Sequence, residues 1–186
     1  MKYLTVLLLF VSISCSAVHL PDNLSYEQYD NLNYAYHFGQ QFNKNGDPRD
    51  FEKDEDHLGY IFAAIAFKES SGYENPNLVV YRKNHHAYGM FQNYIKTIRN
   101  RLKQAGTPKA DSDIIEELLD RSNSAYWSHV ELKAWLKVHK GDINKALASY
   151  NAGYNWKYKA GQTYSYEVRT IAEYLKSKSI VGKTME

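Results

Sequence analysis

Apolar positions recur at helical spacing along most of the chain. Ser25-x-x-Gln28 has the form of a capping box and opens a segment in which Tyr29, Leu32 and Tyr36 share a face. The stretch from Asn43 to Asp56 is polar, holds Gly46-Asp47-Pro48 and a run of charges, and reads as a linker. Leu58 to Lys68 is strongly apolar, with Ile61, Phe62, Ile65 and Ala66 at helical spacing. Residues 70–93 contain Gly72, Pro76 and Gly89 and keep no period. They read as a long loop with a short β element expected around Leu78 to Tyr81. A structureless loop of that length inside a compact domain is usually functional.

Helical patterning resumes from Tyr94 to Gln104 and stops before Gly106-Thr107-Pro108. Asp111 or Ser112 is expected to cap a helix reaching Leu119. Trp127, Val130, Ala134, Trp135 and Val138 mark another, ending at Gly141. Asp142 caps a short helix that turns Ile143, Ala146, Leu147 and Tyr150 inward. Val168, Ile171, Ala172 and Leu175 mark the last. The pattern predicts a mainly α single domain with one conspicuous loop and no internal repeat.

The first 17 residues break the pattern. Lys2 precedes an apolar run from Leu4 to Ile13, too short to span a bilayer comfortably, and Ser14, Cys15, Ser16 and Ala17 follow. This is the form of an export signal. Two rivals are a lipoprotein signal, with Cys15 lipidated as a membrane tether, and an uncleaved anchor. All three place the remainder outside the cytoplasm, in the periplasm or cell envelope. The expected organisation is a signal at 1–17, a helical extension and linker at 18–56, and the main domain at 57–178.

Composition changes the picture in a few places. The 23 basic and 21 acidic residues among 186 are too balanced to make nucleic acid the main partner. A mean hydropathy of -0.60 excludes a multi-span membrane protein. The single Cys15 excludes a disulfide framework or a CxxC centre. His85-His86 lacks further ligands at metal spacing, so neither a metal nor another cofactor is expected. Tyrosine supplies 17 of the 27 aromatic residues. Most belong in the core, while Tyr73, Tyr81, Tyr88 and Tyr154 sit beside the motifs described next and suit sugar stacking. Residues 75–110 carry seven basic residues (Arg82, Lys83, Lys96, Arg99, Arg101, Lys103 and Lys109), which read either as a positive face beside a cleft or as a solvated helix surface.

The most informative residue is Glu69, which ends the apolar helix in Ala66-Phe67-Lys68-Glu69-Ser70-Ser71-Gly72. A carboxyl leaving a buried helix into a cleft is desolvated and stays protonated, as a general acid for glycosidic cleavage requires. The plainer reading is a helix-end glutamate, solvated or paired with Lys68. Further along come Ala87-Tyr88-Gly89-Met90-Phe91-Gln92, then Ala148-Ser149-Tyr150-Asn151-Ala152-Gly153, then a Tyr-rich helix start from Thr163 to Val168. In order and spacing these four segments resemble the soluble-type lytic transglycosylases of the lysozyme-like superfamily. The resemblance covers about residues 57–176.

That resemblance implies a lysozyme-like fold and a set of roles. Glu69 is acid and then base. Ser70 hydrogen-bonds near it or to the sugar N-acetyl group. Gly89 lets backbone approach the sugar, and Met90 and Gln92 line the cleft. Tyr150 and Asn151 contact substrate or orient Glu69, and Gly153 permits a tight turn. The late tyrosine is Tyr164 or Tyr166, with Tyr164 favoured by its spacing from Val168. Two departures from the family pattern are Phe91 beside Met90, which shifts the Met contact, and Ser149 before Tyr150.

Residues 75–110 contain no Asp or Glu. A two-carboxylate hydrolase needs a second acidic group near the first, whereas intramolecular attack does not. The nearest alternatives are Glu74, read as a solvated loop residue, and the Asp54-Glu55-Asp56 run at the far end of the helix. The expected chemistry is cleavage of the bond between N-acetylmuramic acid and N-acetylglucosamine in peptidoglycan, with 1,6-anhydro ends. The rivals are a hydrolytic goose-type muramidase and a catalytically silent wall-binding or assembly factor. The expected partners are glycan strands, and a wall-spanning apparatus or a phage assembly.

Overall fold

A computed structural model describes residues 18, 20, 23–43, 58–74 and 86–182. Seven α-helices lie among these residues: α1 (Tyr26–Gln40), α2 (Gly59–Ser70), α3 (Ile95–Gln104), α4 (Asp111–Leu119), α5 (Arg121–Val138), α6 (Ile143–Ala152) and α7 (Lys159–Ser177). A 3-10 turn, Gly153–Asn155, joins α6 to α7. Strands β1 (Ala87–Tyr88) and β2 (Asn93–Tyr94) pair antiparallel, Ala87 opposite Tyr94 and Tyr88 opposite Asn93. The expected mainly α domain is present. The β element expected at Leu78 to Tyr81 lies outside the described residues, as do 1–17 with Cys15, the linker 44–57 and the loop 75–85.

Helix α2 is the axis of the domain. Phe62 through Phe67 are all buried, so the helix has no solvent face over that stretch. A helix that is apolar all round must be surrounded, and α1 and α7 pack on it. Three alanines (63, 64 and 66) let its neighbours approach closely. Gly39 of α1 lies against its start, where an added Cβ would sit 2.6 Å from the Leu58 carbonyl oxygen. Helix α1 contributes Leu32, Ala35 and Tyr36 to the same core. Its capping box forms as the sequence predicts: Ser25 Oγ accepts from Gln28 N, and Gln28 Oε1 accepts from Ser25 N.

Helices α5, α6 and α7 complete the main core through Leu132, Leu136, Ala146, Leu147, Val168, Ile171 and Leu175. Asp142 caps α6 by accepting from Lys145 N. A second, smaller cluster (Ile95, Ile98, Leu102, Ile114 and Leu118) holds α3 and α4 together beneath the hairpin.

Some local expectations differ from the fold. The residue preceding α4 is Ala110, which offers no side-chain cap. Asp111 instead begins the helix and takes a bidentate pair from Arg99. Helix α7 starts at Lys159, ahead of Thr163. On α5 the buried face is Ser124, Ala125, Ser128, His129, Leu132 and Leu136. Val138 is 52 % exposed, and Trp127 and Trp135 are half-buried. Ser124 and Ser128 face inward because the hairpin partners the first and Tyr150 of α6 the second. Ser124 Oγ accepts from Phe91 N at 3.1 Å and from Asn93 Nδ2 at 2.9 Å.

The hairpin turn is fixed to this corner by Gly89, at φ +75. A Cβ there would lie 1.9 Å from the Leu118 carbonyl oxygen and 2.6 Å from Ser124 Oγ. Gly89→Ala combines a left-handed backbone with a backbone clash, and is expected to cost about 2–4 kcal/mol of stability. Thermal unfolding of that variant checks it: a midpoint unchanged from the parent would contradict the packing described.

Candidate active site

Glu69 occupies the last turn of α2, where the buried helix reaches the surface. The helix closes with Ser71 in the left-handed region, at φ 58; Ser71 N donates to Phe67 O and Gly72 N to Ala66 O. Helix α1 clamps this turn from the side: Gln28 Nε2 donates to Ser71 O at 2.7 Å and Asn31 Nδ2 to Gly72 O at 3.1 Å. The position of Glu69 is thus set by backbone on both sides. Lys68 points elsewhere, to Glu167 of α7 at 2.7 Å, so it does not form the pair with Glu69 that the plainer sequence reading offered.

The Glu69 side chain keeps some accessible surface, but its carboxyl group is packed in by protein. Desolvation raises its pKa from an ordinary 4.5 to about 7, against two weaker opposing influences. The first is a hydrogen bond from Tyr164 Oη to Glu69 Oε1 at 2.6 Å; the second is the charge on Lys68. Tyr164 of α7 is buried, and its own hydroxyl is driven well above the usual phenol range by burial and by the Glu69 charge. Tyr150 of α6 stacks on it, with ring centroids 6.1 Å apart. The Tyr150 hydroxyl lies 3.0 Å from Ser128 Oγ and donates to Phe91 O at 3.3 Å. Glu69 is therefore linked through Tyr164 of α7 to Tyr150 of α6, and through Tyr150 to α5 and the hairpin.

The two alternatives for the late tyrosine separate cleanly. Tyr164 touches Glu69, while Tyr166 is 55 % exposed on another face of α7. Gln92 lies in the hairpin turn at φ 47, with Nε2 donating to Gly89 O at 2.9 Å. Met90 is fully buried in the main core, so it supports the cleft from beneath rather than lining it. Gly89 is demanded by the close approach of Leu118 and Ser124. Ser70 is buried; its hydroxyl donates to Ala66 O and accepts from Gly72 N, so its proton is spent on the helix end. Asn151 is exposed at the end of α6, and Gly153 turns the chain there at φ 58. Glu74 is not a free loop residue: it is half-buried and accepts from Arg121 N at 3.3 Å.

An open depression with an empty volume of about 380 Å³ lies between the two hydrophobic clusters. Gln92, Asn93, Tyr94, Thr97, Ile98, Glu131 and Tyr150 line it. Glu131 is a carboxylate that a sequence search confined to the neighbourhood of Glu69 misses. Both its oxygens are engaged: Oε2 accepts from Arg101 Nε and Nη2, and Oε1 from Trp135 Nε1 at 2.7 Å. The helical spacing of Ser128, Glu131 and Trp135 was the available signal. Of the seven basic residues read as a positive face, Arg82 and Lys83 lie outside the described residues, and Arg99, Arg101 and Lys109 each pair with a carboxylate.

The family model described as Transglycosylase SLT domain matches residues 50–170. A protein of Enterobacteria phage T4, an uncharacterized 20.7 kDa product of the vs-regB intergenic region, is 45 % identical over 172 residues, which cover 92 % of each chain. No solved structure matches the chain.

The raised Glu69 pKa makes a stability prediction. Between about pH 4.5 and 7 the folded chain holds a proton that the unfolded chain has released. The Glu69 contribution to stability is therefore full at low pH and is lost as pH rises through 7. Glu69→Gln keeps the Tyr164 bond without a charge. It is expected to unfold at a higher temperature than the parent at pH 8, with the difference closing by pH 4. Parallel melting curves across that range check it, and equal midpoints at pH 8 would show an ordinary solvated carboxylate.

Proposed function

The chain belongs to the transglycosylase SLT domain family, whose activity is cleavage of peptidoglycan glycan strands, and from that premise we propose that Glu69 cuts the strand without consuming water. In this reading the protonated Glu69 carboxyl gives its proton to the oxygen joining N-acetylmuramic acid to N-acetylglucosamine. The bond from that oxygen to C1 breaks. The substrate's own N-acetyl oxygen stabilises the positive C1. The Glu69 carboxylate then takes the proton of the muramic C6 hydroxyl, whose oxygen bonds to C1. The products are a 1,6-anhydromuramic end and a free 4-hydroxyl, and Glu69 is protonated again.

The observation that carries this is one desolvated carboxyl poised near neutral pH, bonded to Tyr164. A group that must be acid first and base second works best with a pKa near the working pH. Tyr164 supports both halves: its hydroxyl donates to the carboxylate in the second and holds the side chain in place for the first. The other nearby carboxylate, Glu131, has both oxygens bound to Arg101 and Trp135, which disfavours it as a water-activating base. The hydrolytic alternative thus lacks a ready second group among the described residues. Tyr150 and Gln92 are proposed as substrate contacts, because both line the depression beside this centre. Asn151 lies beyond them and is proposed as an outer contact.

Export fits the opening sequence, with Lys2, an apolar run and small residues through Ala17. The phage T4 relative supports a role in which a bacteriophage opens its host wall.

Glu69→Gln is expected to lower solubilisation of purified sacculi at least about 100-fold. Mass spectrometry of parent digests is expected to show anhydro ends; reducing ends alone would make the reaction hydrolysis. Tyr164→Phe removes the donor that favours ionised Glu69. Its rate is expected to fall, and the alkaline limb of its pH profile to move upward from near 7. A limb that stays in place would mean that Tyr164 does not act through the Glu69 carboxyl.

A further inference from the structure

Beyond the depression, aromatic side chains form a connected surface where α5, α6 and the 3-10 turn meet. Trp135 and Tyr154 pack edge to face with centroids 5.2 Å apart. Trp135 stacks with His139 at 6.2 Å, and His139 meets Trp156 edge-on at 5.2 Å. His139 is tied to α6 through Ser149 Oγ at 2.8 Å. Tyr154 is nevertheless 84 % exposed. Trp135 also packs against the main core and Trp156 is half-buried, so the cluster is anchored on its inner side and open at Tyr154.

The surface continues from the catalytic centre. Glu69 bonds Tyr164, which stacks on Tyr150, which shares the depression with Glu131. Glu131 in turn accepts from Trp135 Nε1. Glu131 and Trp135 are four residues apart on α5, about 6 Å along its axis. Tyr154 follows Tyr150 by the same interval in sequence. The aromatic surface therefore begins one helical turn past the depression.

We infer that Trp135, Tyr154 and Trp156 form a glycan-stacking subsite, holding sugar rings of the wall strand at a distance from the bond being cleaved. The inference rests on the proposed substrate of Glu69. The chemistry favours a sugar over a protein or a membrane. Tyr and Trp present flat apolar faces with polar tips, which suit the apolar face of a pyranose ring and leave its hydroxyls in water. Among the described residues the large exposed apolar side chains are six tyrosines and Val138, so the aliphatic groups that a protein interface or lipid takes up are sparse. Lys157, over the Trp156 ring at 5.4 Å from its centre, adds positive charge suited to acidic groups on the wall polymer, while Lys145, at 5.9 Å, pairs with Asp142.

The test uses the full chain carrying Glu69→Gln, so that ligand survives. Binding is measured to purified sacculi by co-sedimentation and to a soluble N-acetylglucosamine oligomer by tryptophan fluorescence. Adding Tyr154→Ala or Trp156→Ala is expected to weaken both affinities roughly fivefold, the scale of one lost aromatic contact. Tyr154→Phe is expected to restore the affinity that Tyr154→Ala loses, because it keeps the stacking face. The exposure of Tyr154 makes its replacement a mild one for the fold, and melting curves verify this. If the parent binds and the alanine variants match it, the stacking subsite is wrong while the substrate reading stands. If the parent itself binds neither ligand, both are wrong.

Discussion

Glu69 is held between two opposing influences. Removing water from its carboxyl drives it toward the protonated form, and the Tyr164 hydroxyl pulls it back. The balance near neutrality depends on the architecture around it. Helix α2 must be buried to its last turn, which requires neighbours on every side. Helix α7 must deliver Tyr164 at hydrogen-bond distance, and α6 must back it with Tyr150. Helix α1 must hold the turn that ends α2, through Gln28 and Asn31. Gln28 also closes the box that starts α1, so one side chain both begins a helix and braces the end of another.

The opposite wall of the site is organised by polar burial. Ser124 and Ser128 occupy core positions on α5, where aliphatic residues would strengthen packing but would leave hairpin donors unpaired. Ser124 holds Phe91 and Asn93 and so sets the turn carrying Gln92. Ser128 bonds Tyr150. Two small hydroxyls thereby fix both the floor and the rim of the depression. His129 beside them stacks on Phe42, at a centroid distance of 3.7 Å, and burial lowers its pKa to about 4. It is neutral in the working range and behaves as part of the core.

Elements governed by local rules were legible in the sequence: the Ser25–Gln28 box, the unbroken apolar run of α2, and the Asp142 cap. Glu69 was legible too, because the end of a buried helix is a local feature. What was not legible depended on distant partners. The buried face of α5 could not be found from hydrophobicity, since Ser124 is satisfied by residues 33 and 31 positions away and Ser128 by one 22 away. The need for glycine at position 89 comes from Leu118, and three of the cations around α3, Arg99, Lys109 and Arg101, pair with Asp111, Glu117 and Glu131. Tyr164 and Tyr166 were nearly equivalent as sequence and are separated by which side of α7 faces α2.

The Glu69–Tyr164 bond joins residues 95 positions apart, the second of them in the final helix. Contacts of such long sequence separation form late, because closure of the intervening chain must come first. A chain still leaving the ribosome has made Glu69 long before it has made Tyr164. Until α7 docks, the carboxyl is hydrated and ionises like any other surface acid. The environment that sets the Glu69 pKa is therefore completed only when α7 docks.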